Sequence, residues 1–221
     1  MNHDKPFSQA CENNKAPILE KLAEIFRHSG TILEIGTGTG QHAVHFAHHL
    51  PHIVWQPSDH PENYQLCLPR LQESALPNLK QPLALDVRQT DWNIPRIHGV
   101  FSANTAHIMS WNEVASMFAG VGAALTNGEM FCLYGPFKYA GQHTSESNAL
   151  FDRHLSQRNP AMGIRDMSQL EDLARDHGML LESDFEMPAN NRFLVWLHFP
   201  HFNRHASITP KQESYDAEDA H

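Results

Sequence analysis

A glycine turn, Leu33-Glu34-Ile35-Gly36-Thr37-Gly38-Thr39-Gly40, joins a short apolar, β-branched segment (Thr31 to Ile35) to a helix-patterned one (Gln41 to Leu50). Glycines let the backbone turn tightly and approach a ligand closely, with peptide N–H groups and a helix N-terminus facing it. The chain then keeps alternating. Helical spacing marks Ala16 to His28, Glu62 to Glu73 (where Pro69 is expected to distort the helix), Trp111 to Leu125, Glu146 to Ser156 and Ser168 to His177, with Gly178 as a C-terminal cap. Strand character marks His52 to Gln56, Leu83 to Leu85, Gly99 to Ala103, Glu129 to Tyr134, Met179 to Glu186 and Arg192 to Phe199.

Strands separated by helices require right-handed crossovers and hence a parallel sheet. The last two strands are joined through Asn190-Asn191, too short for anything but an antiparallel neighbour. The pattern predicts an α/β, Rossmann-like fold: a mostly parallel seven-stranded sheet closed by a C-terminal antiparallel hairpin, with helices on both faces. A length of 221 residues suits one domain, expected over 1–202, with 1–30 as an N-terminal helical cover and 203–221 as a polar, acidic tail.

The turn has the spacing G-x-G-x-G, whereas a dinucleotide fingerprint is G-x-G-x-x-G. Glu34, two residues before Gly36, would repel a pyrophosphate. It suits a cationic ligand, such as the amino group or sulfonium of S-adenosylmethionine. Asp59 ends Trp55-Gln56-Pro57-Ser58-Asp59, 19 residues beyond Gly40, where this architecture grips a ribose hydroxyl pair. A helix cap ahead of Pro61 is its plainer role. Asp86, in Leu83-Ala84-Leu85-Asp86-Val87, is placed to meet an adenine amino group or to cap a loop. Asn104 ends the fourth strand and faces the crevice where open sheets bind ligands, or closes a turn there.

These residues, with Phe7-Ser8-Gln9-Ala10, Asn13-Asn14-Lys15, Gly38-Thr39-Gly40-Gln41-His42, Ser102-Ala103-Asn104, His107-Ile108, Leu133-Tyr134-Gly135-Pro136-Phe137-Lys138, Ser147-Asn148, Gly163-Ile164-Arg165-Asp166 and Met187-Pro188-Ala189-Asn190-Asn191, run in order over Phe7 to about Phe199. Taken together they resemble the DUF938 branch of the class I methyltransferases, which includes the methyltransferase-like 26 proteins. Asn13 stands where many relatives carry arginine. The resemblance implies S-adenosylmethionine as cofactor and S-adenosylhomocysteine as its product. Contacts are expected from Glu34, Gly36, Thr37, Gly38, Gly40, Asp59, Asp86 and Asn104, with Val87 and Asn14 counted beside them.

Methyl transfer asks the protein to align a nucleophile, exclude water and, for some acceptors, remove a proton. His107, three residues beyond Asn104, is the first candidate base, and a structural histidine is the alternative. Tyr134 either hydrogen-bonds the acceptor or belongs to the core. Phe137, Arg165, Asp166, Asn190 and Asn191 are candidate substrate contacts. Against that, Arg165 and Asp166 can pair with each other, and the two asparagines suit a hairpin turn. His42, His45 and His49 share a helical face, but lack the glutamate of an H-E-x-x-H site or a nearby cysteine, so a solvated face and no metal are expected.

Net charge is −9 and there is no Lys/Arg block, which argues against a grip on nucleic acid and favours a small-molecule substrate. No run approaches the roughly 20 apolar residues of a membrane span. The polar Met1 to Phe7 stretch lacks the apolar run of a secretory signal, and the three cysteines have no paired spacing, so a reducing cytoplasm is expected. Two other classes share the fold: a non-catalytic module binding the same cofactor and a protein partner, and a nicotinamide-dependent oxidoreductase.

Overall fold

The structure is a computed structural model, and it describes residues 5–199. The acidic tail expected over 203–221 lies outside the described residues. Helix α1 (Gln9–Ile25) leads into β1 (Gly30–Ile35), the glycine turn, α2 (Gln41–His49), β2 (Ile53–Asp59), α3 (Leu68–Ser74), β3 (Leu83–Ala84), β4 (Gly99–Ala103), α4 (Trp111–Ala124) and β5 (Met130–Gly135). Three short strands follow, β6 (Phe137–Tyr139), β7 (Gln142–His143) and β8 (Arg165–Asp166), with α5 (Glu146–Arg158) before β8 and α6 (Met167–Asp176) after it. Strands β9 (Met179–Met187) and β10 (Asn191–His198) close the fold.

The main sheet has seven strands in the order β3-β2-β1-β4-β5-β10-β9. Pairing is parallel from β3 to β5, and β10 runs antiparallel to both β5 and β9. This is the expected architecture, and its cause is the period-two alternation of the inner strands. Leu33, Val100, Phe131, Leu133 and Trp196 face α4 and α6, packing with Val114, Phe118, Val121 and Leu170. Ile32, Phe101, Cys132, Phe193 and Val195 face α1 to α3, packing with Ile18, Leu22, Phe46 and Leu71. Strands buried on both faces read as continuous apolar runs, which is why β1, β4 and β5 stand out in the sequence.

Three expectations are corrected. Helix α1 begins at Gln9 rather than Ala16, because Ser8 caps it by accepting from the Cys11 N–H at 3.3 Å and Pro17 is accommodated inside it. Glu62 to Cys67 forms turns, and α3 starts at Leu68 with Pro69 in its first turn, where a missing N–H does no harm. A second sheet, β7-β6-β8, was not expected from sequence. The hairpin turn itself, Pro188–Asn190, is left-handed at two residues, with Ala189 and Asn190 at φ of 58° and 57°. Among the described residues, no helix is long and apolar enough to cross a membrane.

Candidate functional site

At the carboxyl ends of β1 and β4 two cavities, of about 400 and 480 Å³, meet at Gly36, Gly38, Ala103, Asn104 and Ile108, which line both. This is the crevice that open parallel sheets offer to ligands. The first lobe is walled by Asp59, Leu66, Leu85, Asp86, Val87 and Met109. The second reaches from Ser8, Cys11 and Thr39 to His107, Phe151 and Asn191. A larger open cavity of about 760 Å³ lies between α5 and the small sheet, but the glycine turn takes no part in it.

The turn is held differently from an anion nest. Gly36 and Thr37 both donate their N–H to the carbonyl of Ser58, at 2.9 and 3.0 Å, and Gly40 donates to Thr37 O at 3.1 Å. Gly38 donates to Asp59 Oδ2 at 2.7 Å. These amides, expected to face a ligand, are bonded within the protein, so the turn presents no N–H cluster for a pyrophosphate. Gly36 and Gly40 are required sterically. A Cβ on Gly36 would sit 2.3 Å from Thr105 Cγ2, whereas one on Gly38, at φ +55°, would meet nothing within 4 Å. Gly38 therefore opens directly onto the crevice.

Glu34 lies beneath the turn, only 2 % exposed. Its Oε2 accepts from Trp55 Nε1 at 2.9 Å and from Thr37 Oγ1 at 3.0 Å. Burial drives its pKa up to about 7, against the opposing pull of those two bonds. It lines neither lobe and acts on the crevice through the turn it supports. Asp59, at the tip of β2, has its other oxygen on the His60 N–H at 2.8 Å and faces the first lobe. Asp86 also lines that lobe, but Arg88 takes both its oxygens, from Nε at 2.9 and 3.1 Å and from a terminal nitrogen at 2.7 Å. This pairing holds the Asp86 pKa down to about 2. Asn104 separates the lobes with φ of 59° and donates its N–H to Tyr134 O at 2.9 Å.

His107 is buried and lines the second lobe. Burial, helped by nearby Arg165, lowers its pKa to about 4, so the ring is neutral at pH 7. Its ring meets Phe151 edge-on, centroids 5.2 Å apart. Tyr134 and Asn14 belong elsewhere. The Tyr134 hydroxyl is hydrogen-bonded by the side chains of Asn14 and Asn191, and burial raises its pKa. Asn14 Oδ1 accepts from His42 Nε2 at 2.7 Å. Neither Tyr134 nor Asn14 lines the crevice.

His42 thus points into the protein rather than onto a solvated face, and burial lowers its pKa to about 4. His45 and His49 remain beside one another, ring centroids 4.3 Å apart. Phe137 is 1 % exposed in the core under α6, since β6 directs it inward, and does not line the crevice.

Arg165 and Asp166 do not pair with each other. Arg165 donates Nε to Ala106 O at 2.9 Å and a terminal nitrogen to Ala161 O at 3.0 Å and to Met109 O, clamping the turn that carries His107. Asp166 caps α6 through the Ser168 N–H at 3.0 Å and accepts from the Gly141 N–H at 2.6 Å. Asn190 offers its carbonyl to Asn148 Nδ2 at 2.9 Å, while Asn191 lines the second lobe. Sequence reasoning missed Ser8, Cys11, Ile108, Asn148 and Phe151, all in the lining. Only adjacency to Asn104 and His107 marked Ile108, and nothing local marked Phe151.

Over residues 5–198 the chain matches the model of a family described as "Protein of unknown function (DUF938)". Among solved structures it is similar to an O-methyltransferase family protein from Burkholderia thailandensis, with TM-score 0.73 and 12 % identity over 85 % of this chain and 57 % of that one. It is similar to an O-methyltransferase family 2 protein from Planctomyces limnophilus DSM 3776 in complex with apigenin, with TM-score 0.75 and 12 % identity over 86 % and 57 % of the two chains. It is also similar to the S-adenosylmethionine-dependent methyltransferase SibL in its apo form, with TM-score 0.71 and 17 % identity over 86 % and 55 %. The chain spans little more than half the length of these structures. What it shares with them is the Rossmann-like methyltransferase fold.

Proposed function

The chain belongs to the DUF938 family, and from that premise we propose that it is an S-adenosylmethionine-dependent methyltransferase acting on a small-molecule acceptor. The observation that carries this reading is the two-lobed crevice opening at Gly38, with the Asp59 carboxylate fixed beside it. The donor set fits such a cofactor. Asp59 offers acceptors to a pair of ribose hydroxyls, and Leu66, Leu85, Val87 and Met109 supply an apolar slot for a base. Asp86 would reach a base only on release from Arg88, so Val87 is the better wall. The bonded amides of the turn disfavour a nicotinamide dinucleotide.

When bound, S-adenosylmethionine would supply an electrophilic methyl group carried on a sulfonium. This chain's own residues do the rest. Ile108 and Phe151 shield the second lobe from water. His107 is neutral and accepts a proton from the acceptor, and its low basicity suits an acceptor whose proton is already acidic. The test is calorimetry with S-adenosylhomocysteine. The unmodified protein should bind it, Gly38→Arg should abolish binding by filling the open space, and Asp59→Ala should weaken it about ten-fold or more. Unchanged binding in both variants overturns the assignment.

A further inference from the structure

The second lobe has two ends. Towards the glycine turn lie Ser8, Cys11, Thr37 and Thr39. The other end is made by His107, Ile108, Pro136, Asn148, Phe151 and Asn191. It is tied together by the His107–Phe151 ring contact and by the bond from Asn148 to Asn190 O. Among the described residues no Lys, Arg, Asp or Glu lines this lobe. The ionised groups that act on His107 are turned away: Arg165 onto three carbonyls, and Asp152 onto Lys138 at 3.1 Å and His143 at 2.8 Å.

Side-chain donors are scarce as well. Asn148 gives both of its N–H groups to the protein, to Thr144 Oγ1 and Asn190 O, each at 2.9 Å. Asn191 Nδ2 is bonded to Pro188 O at 3.1 Å. What remains for a ligand is a carbonyl acceptor, the side-chain amide of Asn104 and a neutral imidazole with one N–H and one acceptor nitrogen. An anion entering here would lose its hydration and gain no cation, only the imidazole N–H and the Asn104 amide, and an ammonium would gain no carboxylate. The apolar surface continues outward, because Ile108 is 47 % and Phe151 38 % exposed at the mouth. Two exposed apolar side chains in the lining of one cavity mark a binding surface.

We propose that this end of the lobe is a subsite for an uncharged, apolar molecule that presents a hydroxyl-type donor inward and rests its remainder on Phe151 and Ile108. As a statement about the methyl acceptor, it rests on the methyltransferase reading; as a statement about binding, it stands on the lining alone.

The probe is 2-naphthol, titrated by calorimetry into the full chain with and without saturating S-adenosylhomocysteine, beside 2-naphthoate and protonated 2-naphthylmethylamine. The naphthol should bind, and the two ions should bind at least ten-fold more weakly. Phe151→Ala should weaken naphthol binding, and Phe151→Lys should move the preference to naphthoate. Equal binding of the three, a preference for an ion in the unmodified protein, or no naphthol binding overturns the subsite. Absence of S-adenosylhomocysteine binding instead overturns the cofactor reading, and the naphthol titration without it still decides the subsite.

Discussion

Glu34 shows how one side chain is set by its surroundings. Burial raises its pKa to about 7, so near neutrality the folded protein retains a proton that the unfolded chain releases above its ordinary value of 4.5. A raised carboxyl pKa stabilises the fold fully below the unfolded value, and that contribution is lost as pH rises through the folded one. Urea unfolding should therefore show stability falling between about pH 4.5 and pH 7, by an amount on the order of 3 kcal/mol for this site. Glu34→Gln should remove that slope. Parallel pH profiles for the two proteins would exclude it. The sequence reveals the carboxylate two residues before Gly36 and Thr37 close by, but Trp55, its other bonding partner, becomes a neighbour only when β2 pairs with β1. Thus the presence of Glu34 was legible and its burial was not.

At the scale of elements, Arg165 joins β8 to the turn after β4. Its three carbonyl acceptors hold Ala106, Met109 and Ala161 in place, and the Gly163 N–H donates to His107 O at 3.0 Å. Arg165→Ala should cost about 2 kcal/mol. It should also speed hydrogen exchange at Ile108 and Met109, whose amides close the turn on Thr105 O. Arg165→Lys should rescue little, since an ammonium lacks the planar fork. Exchange unchanged in the alanine variant would show that the clamp is idle. Pattern reading misses such a link because the partners are 59 residues apart for Ala106 and 56 for Met109. The small sheet was missed for another reason. Strands of two or three residues carry no period, and Phe137, expected as a substrate contact, is turned inward by one of them. The longer elements were legible because their alternation or helical spacing runs for several residues, as in β1, α2, β4 and α4.

For the molecule as a whole, the sheet divides the apolar side chains into two layers, one with Trp55 and one with Trp92 and Trp196. The single-domain reading predicts that these layers unfold together. Tryptophan fluorescence of a Trp55→Phe variant, which leaves mainly the α4/α6 layer reporting, should give the same urea midpoint as far-UV circular dichroism; separate midpoints would indicate two units. Order along the chain was enough to read this architecture, because crossovers and a short final connection leave little choice. It did not show how the crevice floor is anchored, since that depends on Ser58 and Asp59 meeting the glycine turn. Those bonds fasten the turn to its neighbouring strand through the protein's own groups. A newcomer thus encounters a surface that needs no prior ordering, and the loss of freedom on association falls mostly on the newcomer. Compact, stiff compounds should consequently outperform floppy ones of equal contact area.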